Sequence, residues 1–165
     1  MQLLCSLLIS LLLGLPAPAD DSRTLPEVYV KTLDGQRVNI QDYGNNDKIT
    51  VMSFWATWCA PCKRELDALM EFYPDWQESY NAEILAITID NARALAKVKP
   101  LVVQKGWPYE ILSDPNQELQ QALNFQAIPQ TFVLNREGEI VYEHTGYKPG
   151  DEYDLDDLIK ELAGS

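Results

Sequence analysis

Two cysteines separated by two residues, Cys59 and Cys62, are the side chains in this sequence best suited to chemistry. Thiols at this spacing can join in a disulfide and can open again by exchange with another disulfide. The attacking species in that exchange is the thiolate, so the cysteine that ionises more readily acts as the nucleophile. The spacing therefore indicates dithiol–disulfide exchange.

The surroundings of the pair predict which thiol attacks. Pro61 suits the first turn of a helix, so Cys59 should lie at the helix start. Unpaired backbone N–H groups and the positive end of the helix dipole stabilise a thiolate at that place. Lys63 and Arg64 add positive charge nearby, although a solvated helix face is the more common role for such residues. We predict that Cys59 is the nucleophile and that Cys62, one turn further in, resolves the mixed disulfide.

The elements that must position the thiols alternate between strands and helices. Residues 49–55 and 84–89 are apolar stretches typical of strands buried on both faces. Between them the pattern predicts a helix from Pro61, interrupted at Pro74. The remaining pattern predicts a β-hairpin at 28–40, a helix at 92–105 broken at Pro100, an extended segment at 109–112, a helix at 117–123, strands at 131–134 and 140–144, and a helix at 153–162. This alternation indicates an α/β domain with a central mixed sheet.

Length and composition exclude several classes of function. The 165 residues suffice for one domain, and 46% hydrophobic with 23% charged residues is a globular composition. The formal net charge of −12 repels nucleic acid and anionic lipid. A zinc site would need nearly all of the three cysteines and one histidine, so we predict no metal site.

Residues 1–19 are predicted to be a signal peptide. The apolar run at 3–15 is shorter than the roughly 20 residues of a membrane span. Ala17 and Ala19 supply the small residues of a cleavage site. No Lys or Arg precedes the run, so an uncleaved N-terminal anchor remains the alternative.

Cleavage at this site would change the cysteine count. Cys5 would be removed, and residues 20–165 would form the single domain with Cys59 and Cys62 as its only cysteines. A disulfide across so short a loop adds little stability. The pair is therefore better explained by chemistry than by structure.

The segment from Phe54 to Cys62, with the pattern Phe-Trp-Ala-x-Trp-Cys-x-Pro-Cys, resembles the active-site segment of the thioredoxin superfamily. Residues 128–132 (Ile-Pro-Gln-Thr-Phe) resemble the cis-proline loop that faces the thiols in that superfamily. The N-terminal hairpin, the extra helix after the second buried strand and the predicted export are similar to the TlpA/ResA-like branch. The resemblance implies a thioredoxin fold, with a central mixed β-sheet flanked by helices, and the activity of an extracytoplasmic thiol–disulfide oxidoreductase.

The resemblance also implies roles for residues around the thiols. Pro129 is expected to follow a cis peptide bond, where substrate backbone can approach the sulfurs, and Ile128 is expected to offer its backbone to that peptide. The other residues expected to border the substrate groove are Trp58, Ala60, Pro61, Gly146 and Tyr147. Apart from the redox-active disulfide of Cys59 and Cys62, no cofactor is expected.

The residue that moves the proton of the resolving thiol is not evident. Many thioredoxins place a buried aspartate six residues before the first cysteine, but here that position is Ser53, which cannot serve as a base at neutral pH. TlpA/ResA-like proteins often use a glutamate near the end of the second buried strand, where this chain has Asp90 and Asn91. Asp90 is therefore the candidate base, although capping a helix that starts at Ala92 is the better supported role for it.

Together these features predict an exported enzyme that reduces disulfides of client proteins in a bacterial periplasm. No G-x-G-x-x-G motif for a dinucleotide is present, so the electrons must come from another dithiol protein. The resemblance points to a membrane thiol–disulfide electron donor, with no nucleic-acid partner and no stable membrane insertion after signal cleavage. Two alternatives remain open: a disulfide-forming oxidant of the same fold, and a non-enzymatic module that binds peptide in the Pro129 groove.

Overall fold

The computed structural model describes residues 23–164. The strands in this range form one mixed sheet in the order β2-β1-β5-β4-β3-β6-β7. Their bounds are β1 (Tyr29–Thr32), β2 (Arg37–Asn39), β3 (Ile49–Trp55), β4 (Ala82–Thr88), β5 (Glu110–Ser113), β6 (Gln130–Leu134) and β7 (Ile140–Thr145). The predicted α/β architecture with a central mixed sheet is confirmed. The predicted signal peptide at 1–19 lies outside the described residues.

The centre of the sheet brings the site to one edge. β3 and β4 run parallel, and every residue of β3 is buried, as its unbroken apolar sequence predicts. The carboxyl ends of these two strands therefore meet at the same edge of the sheet. The loop that leads to Cys59 follows β3, and Asp90 follows β4. β6 pairs with β3 in the antiparallel direction, so the start of β6 reaches the same edge.

Helices cover the two faces of the sheet. Their bounds are α1 (Ala60–Leu69), α2 (Tyr73–Tyr80), α3 (Val98–Lys105), α4 (Glu118–Leu123) and α5 (Asp151–Gly164). The interruption predicted at Pro74 is confirmed, because α1 ends at Leu69 and Pro74 lies in the first turn of α2.

The extra helix after the second buried strand is present but differs from its predicted form. The sequence predicted one helix at 92–105 with a break at Pro100. Instead, a 3-10 turn at Leu95–Lys97 leads into α3, and Pro100 lies in the first turn of α3 without breaking it. The first N–H groups of a helix have no intrahelical partner, so a proline there removes no helical hydrogen bond.

The N-terminal part of the described chain makes backbone pairings at both edges of the sheet. The predicted hairpin of β1 and β2 joins the sheet through the antiparallel pairing of β1 with β5. At the other edge, Thr24 forms a bridge with Glu139, and the Ile140 backbone N–H donates to the Arg23 carbonyl at 2.7 Å. Over residues 23–164, no helix combines the length and apolar character needed to cross a membrane.

Candidate active site

The loop between β3 and α1 places Cys59 at the N-cap of α1. The Cys59 backbone is extended, with φ −85° and ψ 100°, and its sulfur accepts a hydrogen bond from the Cys62 N–H at 3.3 Å. Pro61 lies in the first turn, as its sequence position predicts. Cys59 and Cys62 form a disulfide. The Cys59 sulfur thus lies where backbone N–H groups and the helix dipole favour negative charge.

The two sulfurs differ only slightly in exposure. Cys62 is fully buried, and Cys59 retains 4% of its surface. Cys59 is buried in the disulfide form because it lies at the N-cap of α1 and its sulfur is bonded to that of Cys62 in the first turn. Trp58, the preceding residue, is 69% exposed and supplies the open surface beside the disulfide.

The loop before β6 lies at the same edge of the sheet. Phe54 pairs with Gln130, and continuing this antiparallel register by one residue places Pro129 across from Trp55. The Ile128–Pro129 peptide bond is cis. The Pro129 carbonyl accepts a hydrogen bond from the Gly146 N–H at 2.8 Å, which joins this loop to the segment after β7.

The residues expected to border a groove are unequally accessible. Pro129 is buried, Ile128 and Gly146 are half-buried, and Ala60 is exposed. Pro61 and Tyr147 are half-buried as well. The structure therefore places these side chains on the elements around the disulfide, with Trp58 and Ala60 the most open of them.

Asp90 has a different role from the one its position suggested. Its carboxylate accepts hydrogen bonds from the Thr57 N–H at 2.7 Å, the Thr57 hydroxyl at 2.8 Å and the Thr88 hydroxyl at 2.7 Å. The Asn91 side chain, and not that of Asp90, caps the next turn by accepting from the N–H groups of Arg93 and Ala94. The capping role predicted for Asp90 is therefore wrong. Asp90 is buried and holds the loop that leads to Cys59.

A second buried carboxylate, that of Glu65, lies on α1 shortly after the disulfide. Glu65 follows Cys62 by three residues on α1, and residues at that spacing are neighbours on one helix face. Glu65 is 5% exposed, and it accepts hydrogen bonds from the Ser53 hydroxyl at 3.0 Å and the Thr131 hydroxyl at 2.6 Å. Burial raises the pKa of Glu65 to about 6, and the hydrogen bonds from Thr131 and Ser53 oppose that rise. Glu65 is thus a carboxylate that can exchange a proton close to neutral pH.

Glu65 is not among the site residues predicted above, although the sequence contains a signal for it. The buried residues of α1 are Cys62, Glu65, Leu66 and Leu69, so Glu65 lies on an otherwise apolar face. A charged residue on an apolar helix face is unusual and is a reason to look for a buried partner. Ser53, which the sequence showed only as a missing aspartate, is one of the two partners of Glu65.

Polar residues continue from Glu65 across the sheet. Ser53 on β3 pairs with Thr131 on β6, and Thr131 pairs with His144 on β7. Directly opposed residues of paired strands place their side chains on the same face. These three residues, called the polar row below, lie side by side across three neighbouring strands. Ser53 and Thr131 hydrogen-bond to Glu65, and His144 is the last residue of the row. No group of three potential metal ligands occurs within residues 23–164.

Comparison with known proteins agrees with this geometry. Residues 22–143 match the family model described as the AhpC/TSA family. The chain belongs to the AhpC/TSA family. Within it, the chain is 26% identical over 138 residues to thiol-disulfide oxidoreductase ResA of Bacillus anthracis, covering 84% of this chain and 76% of that one. It is 28% identical over 139 residues to sporulation thiol-disulfide oxidoreductase A of Bacillus subtilis, covering 81% and 82% of the two chains.

A solved structure supports the same assignment for this AhpC/TSA member. A thioredoxin-like protein from Porphyromonas gingivalis superimposes with a TM-score of 0.76 at 39% identity, covering 87% of this chain and 95% of that one. The predicted thioredoxin fold and the resemblance to the ResA-like branch are confirmed. The chain is a thiol–disulfide oxidoreductase, as the Cys-x-x-Cys spacing indicated.

Proposed function

We propose that this oxidoreductase is exported and reduces disulfides of client proteins by exchange through Cys59 and Cys62. The strongest support is the arrangement of three groups on α1: one sulfur at the N-cap, a second fully buried in the first turn, and a buried carboxylate one turn later. That order supplies a nucleophile, a resolving thiol and a proton acceptor along one helix face.

In the first step, the Cys59 thiolate attacks one sulfur of a client disulfide. A bond forms between the Cys59 sulfur and that client sulfur, and the other client sulfur leaves as a thiolate that takes a proton from water. The Cys62 N–H, which donates to the Cys59 sulfur, and the N-terminus of α1 stabilise the attacking thiolate. The Lys63 ammonium donates to the Thr57 carbonyl at 2.9 Å, which holds its positive charge beside the loop that leads to Cys59.

In the second step, the Cys62 thiol gives its proton to the Glu65 carboxylate and attacks the Cys59 sulfur. The Cys59–Cys62 bond forms, and the second client sulfur leaves as a thiolate. The two electrons of the protein dithiol now reside in the reduced client. Glu65 suits this task because its pKa of about 6 leaves it mostly ionised at neutral pH and still able to hold a proton briefly. Asp90 is less suited, because its carboxylate already accepts three hydrogen bonds.

The client is proposed to bind on the surface around the disulfide. Trp58 offers an exposed indole face, and Ala60 is open beside it, so an extended peptide can approach the Cys59 sulfur there. Ile128 and Pro129 are proposed to line the opposite wall, where a residue without an N–H leaves room for the peptide backbone. Pro61 and Gly146 complete the border of this groove.

Electrons for repeated cycles are proposed to come from a membrane thiol–disulfide donor. A reductase in an oxidising compartment loses its dithiol with each client and must be recharged. A second dithiol can recharge the Cys59–Cys62 disulfide by the same exchange in reverse, without any bound cofactor. The donor would use the same surface as the client, since Cys59 retains some exposed area and Cys62 retains none.

The proposed location is the bacterial periplasm, after removal of residues 1–19. The apolar run and the small residues before Asp20 support cleavage, and an N-terminal anchor left uncleaved would place the same domain at the membrane surface.

An insulin-reduction assay with cysteine variants tests this function. The wild-type protein should accelerate the precipitation of insulin by dithiothreitol, and Cys59→Ser should abolish the acceleration. Cys62→Ser should instead accumulate a mixed disulfide through Cys59, visible as a shifted band on a non-reducing gel. A wild-type protein that binds insulin chains without accelerating reduction would show a binding module. A mixed disulfide accumulating in Cys59→Ser would reverse the assigned roles.

A further inference from the structure

A small pocket that neither cysteine lines lies beside Glu65. Its walls come from α1, β6, β7 and α5, and it is lined by Glu65, Thr131, Tyr142, His144, Asp151 and Glu152, among others. Glu65 is nearly buried, whereas the His144 side chain is 37% exposed. The pocket therefore brings a partly exposed histidine and a buried carboxylate to one small space.

His144 is held in a defined position at this pocket. Its Nε2 lies 3.3 Å from an Asp151 carboxylate oxygen, and its ring stacks on Tyr142 with an interplanar angle of 19°. As the last member of the polar row, it lies directly opposite Thr131, whose hydroxyl donates to Glu65. His144 is thus the cross-strand neighbour of a residue that hydrogen-bonds to Glu65.

We propose that His144 is a positioning residue for the proton transfer between Cys62 and Glu65. His144 lines the same pocket as Glu65, and a proton on its ring stabilises the Glu65 carboxylate, which favours the proton-acceptor form of Glu65. This role rests on the proposed function, because it acts on the step in which Cys62 resolves the mixed disulfide.

The charges that face Glu65 act in opposite directions. His144 on β7 lowers the pKa of Glu65, and Asp151 on α5 raises it. Ser53 on β3 and Thr131 on β6 also lower it through their hydrogen bonds. Glu152 is occupied by hydrogen bonds from the Tyr147 hydroxyl and the Gly150 N–H. Among the residues that line the pocket, His144 is thus the one whose protonated form favours the carboxylate form of Glu65.

Stopped-flow mixing of the reduced protein with Ellman's disulfide tests this role. Each attack releases a coloured thiolate: the first release reports Cys59, and the second reports resolution by Cys62. In His144→Gln, Glu65 should stay protonated to higher pH, so the pH profile of the second phase should move upward. At about pH 6.5 the second phase should be slower than in the wild type, and at high pH it should recover. His144→Lys places a positive charge at this position and should restore the profile.

Lys148→Gln is the matched control, because it removes a cation that lies 3.9 Å from the same Asp151 but is 81% exposed and does not line the pocket. Its profile should equal that of the wild type. A His144→Gln profile that keeps its midpoint, or falls equally at every pH, would overturn the role of His144. If the wild type itself shows no Cys62-dependent second phase, the proposed exchange mechanism fails instead.

A spectroscopic measurement gives an independent readout. The carboxyl carbon of Glu65 in the oxidised protein should titrate at about 6 by NMR. In His144→Gln the midpoint should be higher, and in Lys148→Gln it should be unchanged. An unchanged midpoint in His144→Gln would contradict the proposal even if that variant were also slower.

Discussion

At the scale of single residues, Glu65 is the feature that most changes the account of this site. The sequence has a serine at the position where the resemblance implies a buried aspartate, and the fold places a carboxylate from α1 within hydrogen-bond distance of that serine. Ser53 donates to Glu65, so the two residues of this contact lie twelve positions apart in the chain.

The buried carboxylate should have a measurable effect on stability. The pKa of Glu65 is about 6 in the folded protein, against 4.5 for a glutamate in an unfolded chain, so folding favours the protonated form of this residue. The resulting stabilisation is complete below about pH 4.5 and is lost as pH rises through 6, a change of about 2 kcal/mol. Glu65→Gln removes this dependence, so its stability relative to the wild type should rise by about that amount between pH 4 and pH 8.

Denaturant unfolding of the two oxidised proteins across this range measures the difference. Other titrating groups are common to both proteins and cancel. The same variant should resolve mixed disulfides about a hundredfold more slowly, because Cys62 has lost its proton acceptor. Equal pH dependence of stability in both proteins would show that Glu65 does not titrate in this range.

At the scale of elements, the sequence predicted most of the fold and part of the site. Apolar runs located β3 and β4, and the Cys-x-x-Cys spacing with Pro61 located the start of α1, because these signals are local. The helix break predicted at Pro100 is wrong, because a proline breaks a helix in its interior but not in its first turn, and α3 begins only at Val98. Glu65 was missed because its partners, Ser53 and Thr131, come from two strands that only the folded sheet brings together.

A close backbone contact between two distant turns offers a test at this scale. Gly138, in the turn before β7, has φ +79°, and a Cβ there would clash with the Gly44 carbonyl oxygen. Gly138→Ala should therefore destabilise the protein by roughly 3 kcal/mol, from both backbone strain and the clash. Gly35→Ala is the control, since Gly35 has φ +86° with no atom within 4 Å of its Cβ position and should cost about 1 kcal/mol. Equal losses in chemical denaturation would mean that the two turns separate readily.

At the scale of the whole molecule, the supply of electrons decides what the protein does. Its −12 charge, its single Cys-x-x-Cys pair and the lack of a dinucleotide motif leave exchange with another dithiol as the route that we propose. In cells without a membrane thiol–disulfide donor, gel-shift thiol trapping should find Cys59 and Cys62 oxidised. In cells that contain the donor, the same two cysteines should be mostly reduced. A double Cys→Ser variant marks the position of the unlabelled band. A pair that stays reduced without the donor would exclude this route.

We propose above that the protein is a reductase, and the reduction potential of the Cys59–Cys62 pair is the measurement that decides this. Thioredoxin-type pairs range from roughly −270 to −120 mV, and the oxidants lie at the upper end because their reduced thiolate is strongly stabilised. Here Ala60 and Pro61 separate the thiols and provide no charge for such stabilisation. Titration against glutathione should therefore give a value nearer the reducing end of the range. A value above about −150 mV would contradict the account and assign the protein to disulfide formation.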